Sequence, residues 1–118
     1  MKKELIERYT SRFTEMANLD TDDTGLSHGT IYISNRNSSH SARIKFYRGS
    51  PKKDALNAIV TISNNPEIIH DPFKMTVKEK EEVFKFIKLN YRKLLTFWIR
   101  GEELILTKFI KSLKKIND

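Results

Sequence analysis

Three short stretches of strict two-residue alternation constrain this chain more than any other feature: TIYIS (30–34), ARIKFY (42–47) and LNAIVTI (56–62). Successive side chains of a strand point to opposite faces, so each stretch has one apolar and one polar edge. The intervening segments, NRNSSHS and RGSPKKD, are rich in Asn, Ser, Gly and Pro and suit turns. They are too short for a helical crossover, which makes the expected arrangement an antiparallel meander. A fourth short strand at 67–70 lies between Pro66 and Pro72, and prolines confine a strand to the sheet edge.

Helical spacing dominates the two ends. In residues 3–17, Leu5, Ile6, Tyr9, Phe13, Met16 and Ala17 recur at three- and four-residue intervals and predict an amphipathic N-terminal helix. From Thr76 the pattern T-x-x-E, with Glu79, announces a capping box. Val83, Phe84, Ile87, Tyr91, Leu94, Leu95 and Trp98 then form the stripe of one long helix ending near Gly101. A last helix is expected over 102–116, with Ile105, Phe109, Leu113 and Ile116 on one face and Lys108, Lys111, Lys114 and Lys115 over much of the rest. The fold class is therefore α+β in one domain (1–118): an N-terminal helix, a three- to four-stranded meander, a long helix packed on the sheet, and a final basic helix.

Alternation divides the strand residues in two. Ile31, Ile33, Ala42, Ile44, Phe46, Leu56, Ala58, Val60 and Ile62 suit a core beneath the long helix. Tyr32, Arg43, Lys45, Tyr47, Asn57, Ile59 and Thr61 face the other way, a mixture of phenols and cations able to stack bases and neutralise phosphates. Such residues also occupy ordinary strand surfaces for packing reasons. The formal charge is +7, and it is uneven: residues 1–29 net −2, residues 30–71 net +3 and residues 72–118 net +6. That field attracts polyanions and acidic partners without naming one. The candidate contact residues are Tyr32, Arg43, Lys45 and Tyr47, then Arg48, Lys52 and Lys53 in the following turn, then Lys108, Lys111 and Lys115 in the last helix. A lysine stripe is ordinarily a solvated face, and cations near a helix end also answer its dipole.

Recognised catalytic and cofactor signatures do not occur. Four glycines, at 25, 29, 49 and 101, make no phosphate loop, and neither G-x-S-x-G nor H-E-x-x-H is present. No cofactor and no metal is implied. The histidines are His28, His40 and His70, with Asp22, Asp23 and Asp71 as possible acids, and none has helical metal-site spacing. DTDDTG, from Asp20, places Ile31 where a calcium loop needs a glutamate, so it reads as a solvated acidic turn. With no cysteine there is neither a disulfide nor a thiolate site, which fits a reducing, cytoplasmic setting. No stretch nears the ~20 apolar residues of a membrane span, and charges interrupt the first residues where a signal peptide would be apolar.

The segment IYISNRNSSHSARIKFYRG, followed by an apolar strand and VFKFIKLNYRKLLTFWIRGE, resembles a small bacterial family, domain of unknown function 4160. Its members place an H-N-P-P-H-F-H turn between two strands and an L-x-x-W-like signature on the helix. Asn37 and His40 correspond to the turn's Asn and central His, and Leu95 and Trp98 to the helix signature. Arg36, Ser41 and Ala42 stand in place of His, Phe and His, and Ser38 and Ser39 replace the prolines, so most of the family's histidine set is missing. The resemblance covers about residues 30–101. It implies a bacterial or mobile-element origin and a regulatory or partner-binding role.

The leading expectation is a small, basic, non-catalytic regulatory protein that binds nucleic acid through the sheet face and the lysine-rich last helix. Its competitor is a protein-binding inhibitor or antitoxin-like partner, of phage or plasmid type, whose aromatic anchors would be Tyr32, Tyr47 and Phe86. A metal-dependent hydrolase or nuclease using His28, His40 and Asp71 ranks third. The Asn37–His40 turn reads first as a hairpin tip and second as a contact loop.

Overall fold

The computed structural model describes residues 16–34, 41–49, 51–52, 54–101 and 104–117. The elements are β1 (Met16–Leu19), α1 (Thr21–Thr24), β2 (Thr30–Ser34), β3 (Arg43–Tyr47), β4 (Ala58–Thr61), β5 (Ile68–His70), α2 (Val77–Arg100) and α3 (Leu106–Ser112). The five strands form one antiparallel sheet in chain order. This is the expected α+β arrangement, with five strands instead of three or four because β1 adds to the edge at β2.

Register places one side-chain row across the inner face, Leu19 beside Ile31, Ile31 beside Phe46, and Phe46 beside Ala58. All four are buried, and Val83, Phe86, Ile87, Leu94 and Phe97 of α2 join the same core cluster. The edge strand β5 is short and carries a register shift against Ile59 and Val60, so its Ile68 packs on the core while Ile69 and His70 stay exposed. Gly29 enters β2 at φ +93°, and a Cβ there would lie 2.6 Å from the Phe46 ring and 2.7 Å from the Tyr47 carbonyl. Only glycine fits that crossing.

Several expectations need correction. Met16 and Ala17 belong to β1, not to the end of an N-terminal helix; the rest of that expected helix, residues 3–15, lies outside the described residues. Pairing with β2 buries Ala17 and Leu19 on alternate positions and gives their backbone a ladder, a tertiary gain that two residues of helical spacing do not reveal. Leu56 precedes β4 and is 62% exposed instead of lying in the core.

The buried stripe of α2 is also turned relative to the expected one. Val83, Ile87, Leu94 and Trp98 are buried as read, but Phe86, Asn90 and Phe97 complete the face, while Phe84, Tyr91 and Leu95 lie at its margin. A polar residue at position 90 hid the true centre of the stripe. Phe86 is thus a core residue and no outward anchor. The last helix ends at Ser112, well before the expected 116. It docks by stacking Phe109 on Phe97, with ring centroids 4.5 Å apart. Beyond it Leu113 turns extended, and the tail runs back along α2 with Leu113 and Ile116 buried. Lys115 therefore lies on this tail and does not share a helix face with Lys108 and Lys111.

Candidate nucleic-acid interface

Two charged sites lie along α2. At the N-terminal end, Thr76 Oγ1 accepts from the Glu79 backbone N–H at 3.0 Å, and Glu79 Oε1 accepts from the Thr76 N–H at 2.8 Å. This is the capping box read from the sequence. The Glu79 carboxylate does more. Arg48, at the end of β3, meets it with two bonds, Nε to Oε2 at 2.9 Å and Nη2 to Oε1 at 3.0 Å. His28 Nε2 lies 2.8 Å from the same Oε2. Glu79 is 2% exposed, whereas Arg48 and His28 are 42% and 49% exposed. The Arg48 bonds, opposed by burial and assisted by the Thr76 N–H and His28, hold the Glu79 carboxyl down to about 2. The Arg48 guanidinium is raised in turn, first by its bonds to Glu79.

The surroundings fix Arg48 further. Its Nη2 also donates to the Lys74 carbonyl at 3.1 Å, and its guanidinium carbon stands 4.4 Å from the Phe73 ring centroid. Loop, sheet and helix are tied together at this clamp. As a consequence Arg48, expected as a contact for polyanions, has its charge matched inside the molecule.

The outer sheet face is a mixed surface. Register lines up Asn18, Tyr32, Lys45, Ile59 and His70 across the five strands. Lys45 Nζ lies 5.6 Å from the Tyr32 ring centroid, and Arg43 turns back to the Ser41 carbonyl at 3.1 Å and hydroxyl at 3.4 Å. Tyr47, expected to face outward, is 9% exposed and meets Tyr32 edge to face at 6.4 Å. The face thus presents two half-exposed cations and one half-exposed phenol, with Tyr47 withdrawn from it. Lys52 is exposed; Lys53, Asn37 and His40 lie outside the described residues.

The remaining candidate acids and bases are dispersed. Asp71 accepts the Met75 N–H at 3.0 and 2.9 Å, and Asp20 and Asp23 cap α1 reciprocally. Burial, more than the neighbouring Asp20 charge, raises Asp23 above its ordinary value, against a lowering backbone bond from Asp20. Among the described residues no three His, Asp or Glu side chains gather as metal ligands. No helix among them is long and apolar enough to cross a membrane.

The second concentration of charge lies midway along α2, against the tail. A groove of about 400 Å³ is lined by Lys88, Leu89, Asn90, Tyr91, Arg92, Lys93 and Lys114. Four of these are cations, and none is an acid. Asn90 builds the groove. Its Nδ2 donates to the Phe86 carbonyl at 3.0 Å and to the Lys114 carbonyl at 2.9 Å, and its Oδ1 accepts the Lys114 N–H at 2.7 Å. A buried amide therefore pairs with an extended backbone as a strand would, which brings Lys114 against α2 at the groove. Lys93 Nζ donates to the Ser112 carbonyl, and the Ile116 N–H donates to the Thr24 carbonyl at 2.9 Å, securing the tail at both sides. Lys108, Lys111 and Lys115 are exposed nearby in sequence on α3 and the tail.

Of this groove, the sequence pattern places Lys114 only among the last helix's cations and Tyr91 in the core, and it does not mark Lys88, Arg92 and Lys93 as contacts. A signal was present: from residue 83 to residue 117 the only acids are Glu102 and Glu103, against nine lysines and arginines. The dividing of those cations between α2 and the tail depends on Asn90, which composition does not disclose. No family model, no curated protein and no solved structure matches the chain.

Proposed function

We propose that this protein is a non-catalytic, regulatory nucleic-acid-binding protein whose principal contact is the groove between α2 and the C-terminal tail. The observation that carries the reading is the groove lining: Lys88, Arg92, Lys93 and Lys114 all border it, with no carboxylate among the lining residues. Polyanion binding draws its affinity from phosphate neutralisation and counterion release, and cations bordering one concave place with no carboxylate in its lining supply it. Lys108, Lys111 and Lys115 extend the field beyond the groove. Arg43 and Lys45 on the sheet are secondary, and Arg48 is excluded because Glu79 already matches it. A protein partner gripped by aromatic anchors has less support, since Tyr47 and Phe86 are buried.

Fluorescence anisotropy with labelled oligonucleotides tests the reading. For about four neutralised phosphates, affinity falls roughly a hundredfold between 50 and 200 mM salt. Failure to bind any DNA or RNA at 50 mM salt refutes it.

A further inference from the structure

We infer that the groove holds a single strand, with Tyr91 as the stacking platform for one base and the surrounding cations gripping the phosphates on either side. This rests on the nucleic-acid reading above and narrows it to one substrate class. Sequence-tolerant single-strand binders combine a positively charged groove that follows the backbone with an aromatic ring that accepts any base face. Both parts are present together here, Tyr91 lining the same groove as Lys88, Arg92 and Lys114.

Three further features favour a single strand. The groove is concave, and its volume of about 400 Å³ is on the scale of one small ligand, which suits a splayed-out nucleotide more than the side of a duplex. Duplex readers instead insert a convex helix or ribbon into the major groove, whereas this groove is bordered by two segments, α2 and the tail at Lys114. Tyr91 is half-buried against the core, so its ring is already held and stacking orders little that was mobile.

The groove also lacks the means to read sequence through its one amide. Both Asn90 Nδ2 protons and its Oδ1 are engaged by Phe86 and Lys114 backbone atoms. A base in the groove is therefore met by a ring and by cations, and the Asn90 amide has no free proton with which to select it.

The test compares a labelled dT12, a U12 and a 12-base-pair duplex in low salt, using the full chain and the variants Tyr91→Phe and Tyr91→Leu. Leucine retains apolar packing against the core without a π-face, and circular dichroism verifies that it folds. The expected result is dT12 and U12 bound about tenfold more tightly than the duplex, a preference kept by Tyr91→Phe and lost by Tyr91→Leu. The salt dependence of the leucine variant stays as in the parent, because the phosphate contacts remain. A duplex bound as tightly as the single strands overturns the inference and leaves the nucleic-acid reading standing, and so does a folded Tyr91→Leu variant that keeps the preference. Binding of none of the three probes overturns both.

Discussion

The two ends of α2 use charge in opposite ways. Near its start, one buried carboxylate is met by Arg48 and approached by His28, and the charges serve to hold loop, sheet and helix in register. Farther along, four cations line a groove with no carboxylate among them, held in place by a neutral amide. Both sites contain arginine, and a count of basic residues treats them alike. Among the described residues, the difference is whether a carboxylate lines the site. A cation already satisfied by a buried acid contributes to stability, whereas an unmatched one remains available to an external anion.

The largest separation of the two sites is expected from Glu79→Ala. It removes the buried acceptor and half of the capping box, and urea denaturation should show a loss of about 3 kcal/mol. Nucleic-acid affinity of the folded fraction should not change. The same carboxylate has a pH signature. Because its folded value is about 2 against an ordinary 4.5, its contribution is present above about pH 4.5 and disappears as pH falls toward 2. Allowing for screening at the half-exposed Arg48 and His28, about 2 kcal/mol should be lost across that window, and Glu79→Gln should remove this part of the acid dependence.

Asn90→Leu should cost about 2 kcal/mol, because the Lys114 N–H and carbonyl lose their partner in a partly buried place. Limited proteolysis should then cut the tail faster, and affinity should fall as the Lys114 wall loosens. The converse variant, Lys88→Glu with Arg92→Glu, should leave stability within about 0.5 kcal/mol. It should lower affinity at least tenfold, or about 1.4 kcal/mol. The smallest effect is expected from Lys45→Glu on the sheet, with affinity changed by less than about twofold at moderate salt. A larger loss there than in the α2 variant would reverse the ranking of the two surfaces.

What the sequence disclosed follows from how local each determinant is. The meander was legible because alternation and turn composition are read within a few residues, and Thr76 with Glu79 marked the start of α2 for the same reason. The edge position of β5 followed from its flanking prolines. The clamp was not legible, since Arg48 and Glu79 are 31 residues apart and each has an adequate local explanation. Asn90 had the widest consequences. A polar residue at the centre of the buried stripe displaced the expected face of α2 and put Phe86 on the wrong side. By pairing with Lys114 it also ends the advantage of continuing α3, so the lysines read as one helical stripe are divided between helix and tail. The candidate site was therefore visible as an excess of cations but not as a groove.

The central claim is that the cations lining the groove at Asn90 carry the binding, and the most direct measurement is the salt dependence of affinity for a single-stranded oligonucleotide, wild type against Lys88→Glu/Arg92→Glu. The log–log slope should become shallower by about 1.4, the loss of two phosphate contacts on a single strand. An unchanged slope with unchanged affinity would place the contact surface elsewhere and contradict the account.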